Sequence, residues 1–245
     1  MLREGLKQVS DLKPIKPLAD LIVFPELSVH PCDIVLLKQL ADKTGAMIFA
    51  GLTYLLRDGE YINAALWLIP FSNGHGRQWI KRYQGKQHIT AGEDKFKIKP
   101  WRPYQLVIEL ADTLQGQPNG FRLSGAICYD ATNISLAADL KDVTNAFIVS
   151  ALNQDVDTFD TMVDALHYHM YQSVVLVNTG EFGGSAAKAP YKEKYEKRIA
   201  HVHGINQIAI SMFELNMYDF GKKPHKLGSG KMMKTPPAGL VRINK

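Results

Sequence analysis

Three short apolar segments constrain the fold of this chain more than any other feature of its sequence. They lie at Leu21-Ile22-Val23-Phe24, at 146–150 and at 173–178. Apolar runs without alternation are typical of strands that are buried on both faces. Such strands need other layers on either side, so the sequence predicts a layered α/β sandwich in one domain at 1–220.

Helices and hairpins are predicted around these strands. Asp33 can cap a helix at 33–43 that Gly45 ends, and Arg57-Asp58-Gly59-Glu60 predicts a hairpin turn. An amphipathic helix or turn-rich segment is expected at 2–19, and a turn at 118–120. Further helices are predicted at 136–140 and 159–172, and further strands at 46–56, 63–69, 78–83, 104–110, before Cys128, and at 205–213.

The composition is that of a globular protein, with 46% apolar and 22% charged residues among 245. No apolar run approaches the ~18 residues that a membrane-spanning helix needs, and the first residues lack a signal-peptide core. The two cysteines, Cys32 and Cys128, are too few for a disulfide framework, which indicates a reducing compartment. We therefore expect a cytoplasmic protein with no membrane partner.

The net charge of +5 comes from the C-terminal segment. Residues 221–245 contain seven Lys or Arg and no acidic residue, whereas the other 220 residues contain 22 basic and 24 acidic ones. The segment also contains prolines and glycines, so we predict a basic, flexible tail. A tail of this kind is usually only solvated, and the alternative is contact with nucleic acid or an acidic partner.

One cysteine stands where a strand is predicted to end. The apolar segment Leu123-Ser124-Gly125-Ala126-Ile127 leads into Cys128, and Tyr129 and Asp130 follow at once. A strand that ends on a thiol presents it at a sheet edge, where groups from other strands can meet it. The alternative is that Cys128 is a small buried apolar residue.

Two charged residues could serve such a thiol. Glu26 follows the first apolar strand, where a structural ion pair is an equally good explanation, and Lys86 follows Gly85 in a polar loop, where surface lysines are the rule. Together with Cys128 they are a complete set for nucleophilic attack on a polarised carbon. A carboxylate can deprotonate the thiol, and an ammonium can stabilise the oxyanion that forms.

Several motifs in this order resemble the nitrilase superfamily of carbon–nitrogen hydrolases. They are Leu21-Ile22-Val23-Phe24-Pro25-Glu26, Tyr83-Gln84-Gly85-Lys86-Gln87-His88-Ile89 and Gly125-Ala126-Ile127-Cys128-Tyr129-Asp130, followed by Val174-Val175-Leu176-Val177-Asn178 and Phe182-Gly183-Gly184-Ser185. The resemblance covers about residues 18 to 215. It implies a nitrilase-like α-β-β-α sandwich and a homo-oligomer that associates through helices of one sandwich face.

The resemblance also implies roles for individual residues. Cys128 would be the nucleophile and Glu26 the general acid and base. Lys86 and the backbone N–H of Tyr129 would hold the oxyanion. Glu93 is the candidate for a second, orienting glutamate, and Asp130 and Asn178 are expected to support the site. Ala131-Thr132-Asn133 lacks the Arg-Phe-Pro that many family members carry after the cysteine motif, which leaves the substrate open.

The family usually has a strand and a helix before the glutamate motif, but few residues precede Leu21. We therefore expect that the first strand is missing and that the chain is part of a longer protein. Gly85-Lys86-Gln87-His88, Cys128-Tyr129-Asp130-Ala131-Thr132 and His169-Met170-Tyr171-Gln172 resemble the nitrilase-like domain that is joined to some bacterial reverse transcriptases linked to phage defence. A polymerase domain or nucleic acid is accordingly an expected partner.

Neither a metal nor a cofactor is expected. His167 and His169 would point apart on a helix, whereas His201 and His203 would share one side of a strand without a third ligand nearby. Two function classes remain. The first is a thiol hydrolase of a non-peptide C–N bond with a small amide-type substrate. The second is a non-catalytic assembly or regulatory module of a reverse transcriptase.

Overall fold

The structure is a computed structural model that describes residues 19–72, 77–110, 121–220 and 227–240. The chain divides into two compact units. One comprises the residues up to Gln105 with Ser150–Leu152, and the other comprises Leu106–Val149 and the residues from Asn153 onward. The predicted segment at 2–19, apart from its last residue, and the turn at 118–120 lie outside the described residues. No helix within the described ranges is long and apolar enough to cross a membrane.

The first unit is built on a four-stranded sheet in the order β1-β2-β5-β6, in which only β1 and β2 are parallel. Helix α1 connects these two strands, and Gly45 ends it with a left-handed φ of 75° as predicted. A hairpin, β3–β4, turns at Asp58 and Gly59, which both have positive φ. The bounds are β1 Leu21–Val29, α1 Ile34–Thr44, β2 Met47–Leu52, β3 Leu55–Arg57, β4 Glu60–Ile62, β5 Ala64–Ser72, β6 Arg77–Gly85 and α2 Ala91–Lys95.

Helix α1 buries its apolar face on the four-stranded sheet. Leu37, Leu40 and Ala41 form one cluster with residues of β1, β2 and β5. Every residue of β2 is buried, as is typical of a strand covered on both faces. The Phe49 ring of β2 stacks on the Trp67 ring of β5 at 4.2 Å between centroids. Apolar burial on this scale makes the sheet a rigid support for side chains at its strand ends.

The second unit is built on a six-stranded sheet in the order β12-β11-β10-β9-β8-β7. Strands β9 and β10 correspond to the two later apolar segments of the sequence, and β8 ends directly before Cys128 as predicted. The bounds are β7 Val107–Leu110, β8 Phe121–Ile127, α3 Ile134–Leu140, β9 Ala146–Ser150, α4 Val156–His169, β10 Ser173–Val177, β11 Ser185–Lys188, α5 Lys194–Lys197 and β12 Arg198–Val202.

Helix α4 packs on β10 and β11. Partly buried ion pairs reinforce this contact, because the ammonium of Lys188 on β11 lies 2.6 Å from Oδ1 of Asp160 and 3.0 Å from Oδ2 of Asp164. Lys197 adds a third pair, to Asp164 at 3.0 Å. A fully buried lysine is tolerated when carboxylates compensate its charge, and here both carboxylates come from the helix that covers it.

His167 of α4 makes the stability of this unit dependent on pH. Its Nδ1 contacts the carbonyl of Val163 at 3.0 Å, and its buried Nε2 has no hydrogen-bond partner among the described residues. Burial lowers the pKa of His167 to about 4, so the folded chain keeps the ring neutral where the unfolded chain takes up a proton. The fold therefore has its full stability, as far as His167 is concerned, above the unfolded pKa of about 6.5. It loses stability as the pH falls from there toward the folded pKa of about 4.

We therefore expect the free energy of unfolding to fall by about 2 kcal/mol between about pH 7 and pH 5 because of this one residue. Urea unfolding at the two pH values measures it. H167Q should lose that much less stability on acidification than the wild type. H169Q, which replaces an exposed histidine of the same helix, should keep the wild-type pH dependence. Equal pH dependence in H167Q and the wild type would contradict this account.

Part of the basic tail contacts the second unit. Met233 forms a β-bridge with Tyr191, and the N–H of Lys234 donates to the carbonyl of Pro190. Asp219 accepts hydrogen bonds from the hydroxyls of Tyr191 and Ser229. Residues 227–240 therefore lie against the segment that follows β11. The boundary at residue 220 and the flexibility of the tail stay predictions.

The predicted strand at 205–213 is wrong. After β12 the chain turns away at Gly204, which has a φ of 102°. The N–H groups of Asn206 and Gln207 then donate to the carbonyls of Glu181 and Gly180, not to β12. No strand forms from 203 to 214, and all of these residues are exposed. Strands β11 and β12 supply the edge of the sheet instead, and the sequence analysis missed both.

Candidate active site

Glu26 lies in an irregular part of β1. The pairing of β1 with β2 is regular up to Phe24 and resumes at Val29, so that 25–28 lie opposite Gly51. A Cβ on Gly51 would come within 2.4 Å of the Cα of Glu26, so only glycine lets β2 pass this close. Leu27 has a φ of 55°, in the left-handed region, and is part of this irregular stretch of β1. The Glu26 side chain is buried as a result.

Lys86 follows the last residue of β6 and is buried, not on the surface as most loop lysines are. Its N–H donates to the carbonyl of Asn63, and its carbonyl accepts from the N–H of Trp101. Gly85 fits only as glycine, since a Cβ would lie 1.7 Å from the carbonyl oxygen of Trp101. Backbone contacts on both sides therefore fix the point from which the lysine side chain starts.

Glu93 is positioned by the start of helix α2. Thr90 is the N-cap, and its side chain accepts from the N–H of Glu93 while the Glu93 carboxylate accepts from the N–H of Thr90. This reciprocal capping box places a carboxylate at the helix N-terminus and holds its rotamer. The Glu93 side chain is buried as well.

These three side chains meet in one hydrogen-bonded cluster. Nζ of Lys86 lies 2.9 Å from Oε1 of Glu26 and 2.8 Å from Oε2 of Glu93. Asn63 links the same two carboxylates from the other side, because its Nδ2 donates to Oε1 of Glu26 and to Oε1 of Glu93, both at 2.7 Å. The N–H of Leu152 donates to the second oxygen of Glu26 at 3.0 Å.

The electrostatics of the cluster follow from its charges. Burial alone would raise the pKa of Glu93, but the Lys86 ammonium and the hydrogen bonds from Lys86, Thr90 and Asn63 hold it below its usual value. Burial, with the negative charges of Glu93 and Glu26, raises the pKa of Tyr54, which therefore stays protonated. Glu93 is thus a fixed anion, and all the contacts of Glu26 named above are with donors, as suits an ionised carboxylate.

The sequence analysis missed Asn63 as a member of this cluster. Its only signal was a polar residue directly before the apolar segment of β5, and it had been assigned to that strand. It is fully buried, and within the part of the chain that the structure describes its Oδ1 has no hydrogen-bond partner. Burying an amide whose oxygen accepts no hydrogen bond costs free energy, so its other contacts should have a role. Here the two hydrogen bonds that Nδ2 donates hold both carboxylates in place.

Cys128 belongs to the second unit and begins a short 3₁₀ helix, Cys128–Thr132, directly after β8. Its φ is 45°, in the left-handed region that non-glycine residues rarely adopt. Its side chain is buried, whereas Cys32 is exposed. A strained, buried cysteine at a strand end is the placement expected of a nucleophile, and strain of this kind clusters at functional sites.

The other predicted supporting residues of this unit differ in their surroundings. Asp130 is buried, and the Tyr129 side chain is half exposed. Asn178 uses both ends of its amide within the protein. Nδ2 donates to the carbonyls of Asn153 and Gly183, and Oδ1 accepts from the N–H of Asn153. Asn178 therefore joins two loops, and its supporting role at the site stays a prediction.

Among the described residues, no group of three or more His, Cys, Asp or Glu side chains could hold a metal ion. The rings of His201 and His203 contact each other with centroids 3.8 Å apart.

Solved structures with the same fold can now be compared with the chain. Nit3 of Saccharomyces cerevisiae, a member of branch 10 of the nitrilase superfamily, is 15% identical with a TM-score of 0.61, over 82% of this chain and 78% of Nit3. The chain has the fold of the nitrilase superfamily. XC1258 of Xanthomonas campestris, a CN-hydrolase superfamily protein, is 16% identical with a TM-score of 0.60, over 86% and 82% of the two chains.

An amidase from Nesterenkonia sp. is 15% identical with a TM-score of 0.58, over 83% of this chain and 78% of the amidase. No family model and no curated protein matches the sequence. The matches to the solved structures confirm the predicted nitrilase-like α/β fold. The association with a reverse transcriptase, a polymerase domain or nucleic acid stays a prediction.

Proposed function

We propose that this chain is a thiol hydrolase that cleaves a non-peptide C–N bond in a small amide-type substrate. Cys128 is the nucleophile in this proposal, Glu26 the general base and acid, and Lys86 the cation that stabilises the oxyanion. Glu93 and Asn63 are positioning residues, which hold Lys86 and Glu26 in their orientations.

The buried cluster of Glu26, Lys86, Glu93 and Asn63 carries this proposal. It contains two carboxylates for one ammonium, and burying such a set in a core costs free energy that a purely structural role does not require. An oriented carboxylate and ammonium are what proton transfer and oxyanion stabilisation need. Three of these four residues, Glu26, Lys86 and Glu93, were selected from the sequence by the resemblance to family motifs, and Lys86 is 60 residues from Glu26 along the chain.

Cys128 is proposed as the nucleophile on separate grounds. It is the buried cysteine of the two, it ends a strand, and its backbone is strained. A glutamate-to-glutamine mutant of the amidase from Nesterenkonia sp. AN1, a protein of similar fold, has been described with covalent additions at its active-site cysteine, one of them the acetamide moiety of fluoroacetamide. A cysteine that forms a covalent intermediate is therefore compatible with this fold.

The proposed reaction has two halves. Glu26 takes the thiol proton of Cys128, the sulfur attacks the carbonyl carbon, and the carbonyl electron pair moves to oxygen beside Lys86 and the N–H of Tyr129. The C–N bond then breaks, and Glu26 gives its proton to the leaving amine. In the second half Glu26 deprotonates a water, which attacks the thioester. The acid is released and the thiol regains its proton.

Selective alkylation tests the proposed nucleophile. With less than one equivalent of iodoacetamide, we expect the label on buried Cys128 before exposed Cys32, because a thiol with a base reacts faster than an isolated one. Intact mass and peptide mapping measure this. E26Q should slow labelling of Cys128 and leave that of Cys32 unchanged, so Cys32 is an internal control. Labelling of Cys128 only after unfolding would contradict the proposal.

The reaction class needs its own assay. Ammonia release should be measured with a panel of small primary amides, carbamoyl compounds and nitriles, for the wild type, C128A and C32A. Turnover in the wild type and C32A, together with none in C128A, supports the hydrolase. Turnover that survives in C128A would exclude Cys128 as the nucleophile.

A further inference from the structure

The basic residues of the first unit are concentrated in one segment. Residues 77–105 contain eight Lys or Arg and two acidic residues, whereas residues 19–72 contain three basic and six acidic ones. Lys86 and Glu93 compensate each other in the buried cluster, which leaves seven basic residues and one acidic residue in the segment. The net charge of the chain does not reveal this asymmetry, because the field at a surface depends on where its charges lie.

Half of these basic residues lie close together at 95–102, which we call the 95–102 surface. Its exposed cations are Lys95, Lys97, Lys99 and Arg102. In the part of the chain that the structure describes, none of the four forms an ion pair, and Arg102 instead lies over the Tyr104 ring, 5.5 Å from its centroid. Cations that lie this close without carboxylates repel each other, so the surface suits a polyanion that brings the compensating charge.

An aromatic ring stands among these cations. Phe96 lies between Lys95 and Lys97 along the chain, and its side chain is 71% exposed. Among residues 91–105, all of which the structure describes, it is the only exposed large apolar side chain. A single exposed apolar residue needs no explanation by itself. A ring flanked by two exposed lysines, however, offers stacking and charge together.

The backbone beneath the 95–102 surface is anchored to the rest of the first unit. Ile98 is buried, and its N–H donates to the carbonyl of Glu93. The N–H of Lys99 donates to the carbonyl of Tyr61 in β4 at 2.8 Å. The cations and Phe96 therefore extend from a fixed backbone, and a partner does not have to order that backbone when it binds.

The combination of cations with one exposed ring selects the partner. An acidic peptide would pair with the cations and leave the ring without a contact of its own. An anionic membrane is bound through several inserted apolar side chains, and this surface exposes one. A single-stranded nucleic acid supplies both phosphates and unpaired bases that can stack on a ring. In a duplex the faces of the bases are stacked on one another and are closed to Phe96.

We propose that the 95–102 surface binds single-stranded nucleic acid, with its four cations at phosphates and the Phe96 ring stacked on a base. Binding of this kind does not depend on base sequence, because phosphates are identical along a strand and every base has a π face. The surface belongs to the first unit, whereas the basic tail belongs to the second. It requires neither the tail nor the proposed hydrolase activity.

Fluorescence anisotropy with a labelled oligothymidylate of about 20 nucleotides tests the role of the cations. The binding constant is measured between about 50 and 200 mM NaCl for the wild type and the triple variant K95Q/K97Q/K99Q. We expect the variant to bind at least about 10-fold more weakly at the lowest salt concentration. The slope of log K against log salt concentration should be smaller by about 2, since each phosphate contact of a single strand contributes about 0.7.

A second triple variant, K43Q/K192Q/K194Q, is the matched control. It removes three exposed lysines that lie outside the 95–102 surface and should bind the oligothymidylate as the wild type does. Circular dichroism should be the same for all three proteins, because every replaced side chain is exposed. A wild type that does not bind, or equal binding constants and salt slopes for the wild type and K95Q/K97Q/K99Q, would overturn the proposal.

Variants of Phe96 test the stacking and distinguish a nucleic acid from other polyanions. F96A should bind the oligothymidylate about 5- to 150-fold more weakly with an unchanged salt slope, because it removes a ring and no charge. F96Y keeps the ring and should bind as the wild type does. Labelled polyglutamate, which has charge but no bases, should bind the wild type and F96A equally. Equal binding of the oligothymidylate by F96A and the wild type would mean recognition by charge alone and would overturn the proposal.

Discussion

Replacing Lys86 by methionine should destabilise the protein by about 3–5 kcal/mol, because it leaves Glu26 and Glu93 as buried carboxylates without their cation. Urea unfolding followed by far-UV circular dichroism measures this loss. R122M is the matched control. It removes the cation of the Arg122–Glu109 pair, which is partly exposed, and should cost at most about 1 kcal/mol.

The pH dependence of the Lys86 variant distinguishes lost charge compensation from lost packing. In the wild type the pKa of Glu93 is lowered, so Glu93 stabilises the fold above its unfolded pKa and ceases to do so as the pH falls through its lowered one. In K86M burial dominates and raises the pKa instead, so the penalty disappears at low pH and grows as the pH rises. The stability gap between K86M and the wild type should therefore narrow on acidification.

A second variant makes the same point without changing the pH. Adding E26Q to K86M removes one of the two uncompensated charges, and should restore part of the lost stability because the neutral amide is less costly to bury. Both proteins should lack hydrolase activity. If K86M lowers the free energy of unfolding by no more than R122M does, Lys86 does not compensate the charges of Glu26 and Glu93 in solution.

The sequence predicted the central parts of the fold because their signals are local. Strands β1, β9 and β10 followed from unbroken apolar segments, and the end of α1 followed from Gly45. Strands β11 and β12 carry no such signal. The sequence Ser185-Ala186-Ala187-Lys188 is short and consists mostly of small residues, and it becomes a strand because β10 and α4 surround it.

The error at 205–213 has a related cause. Its apolar and β-branched residues predict a strand, but a sequence pattern does not specify which strand lies beside it. The turn at Gly204 directs this segment away from β12. Local pattern thus predicted a strand where the described part of the chain provides no neighbouring strand.

In the candidate site, too, the residues predicted from the sequence are those with a signal close to them in the chain. Glu26 and Lys86 were recognised because motifs surround them, and Glu93 because it stands seven residues after Lys86. Asn63 was missed because its partners lie 37 and 30 residues away, and nothing near it reveals them. Contacts of this kind depend on the completed sheet.

Cys128 offers the sharpest test of the relation between strain and function. Its φ of 45° costs a non-glycine residue about 1–2 kcal/mol, a cost that glycine would avoid. We therefore expect C128G to be more stable than C128A by about 1 kcal/mol in urea unfolding, after allowance for the greater freedom of glycine in the unfolded chain. Both variants should lose hydrolysis by at least about 10⁴-fold, because each lacks the sulfur.

The matched pair C32G and C32A supplies the control. Cys32 lies in a short 3₁₀ helix, its φ is not positive, and its side chain is exposed. Glycine should there be no more stable than alanine, and activity should not change. If C128G were less stable than C128A, the left-handed backbone at Cys128 would not be strained. If C128G is more stable than C128A and both variants lose turnover, the chain keeps an unfavourable backbone conformation at residue 128 in order to place a sulfur directly after β8.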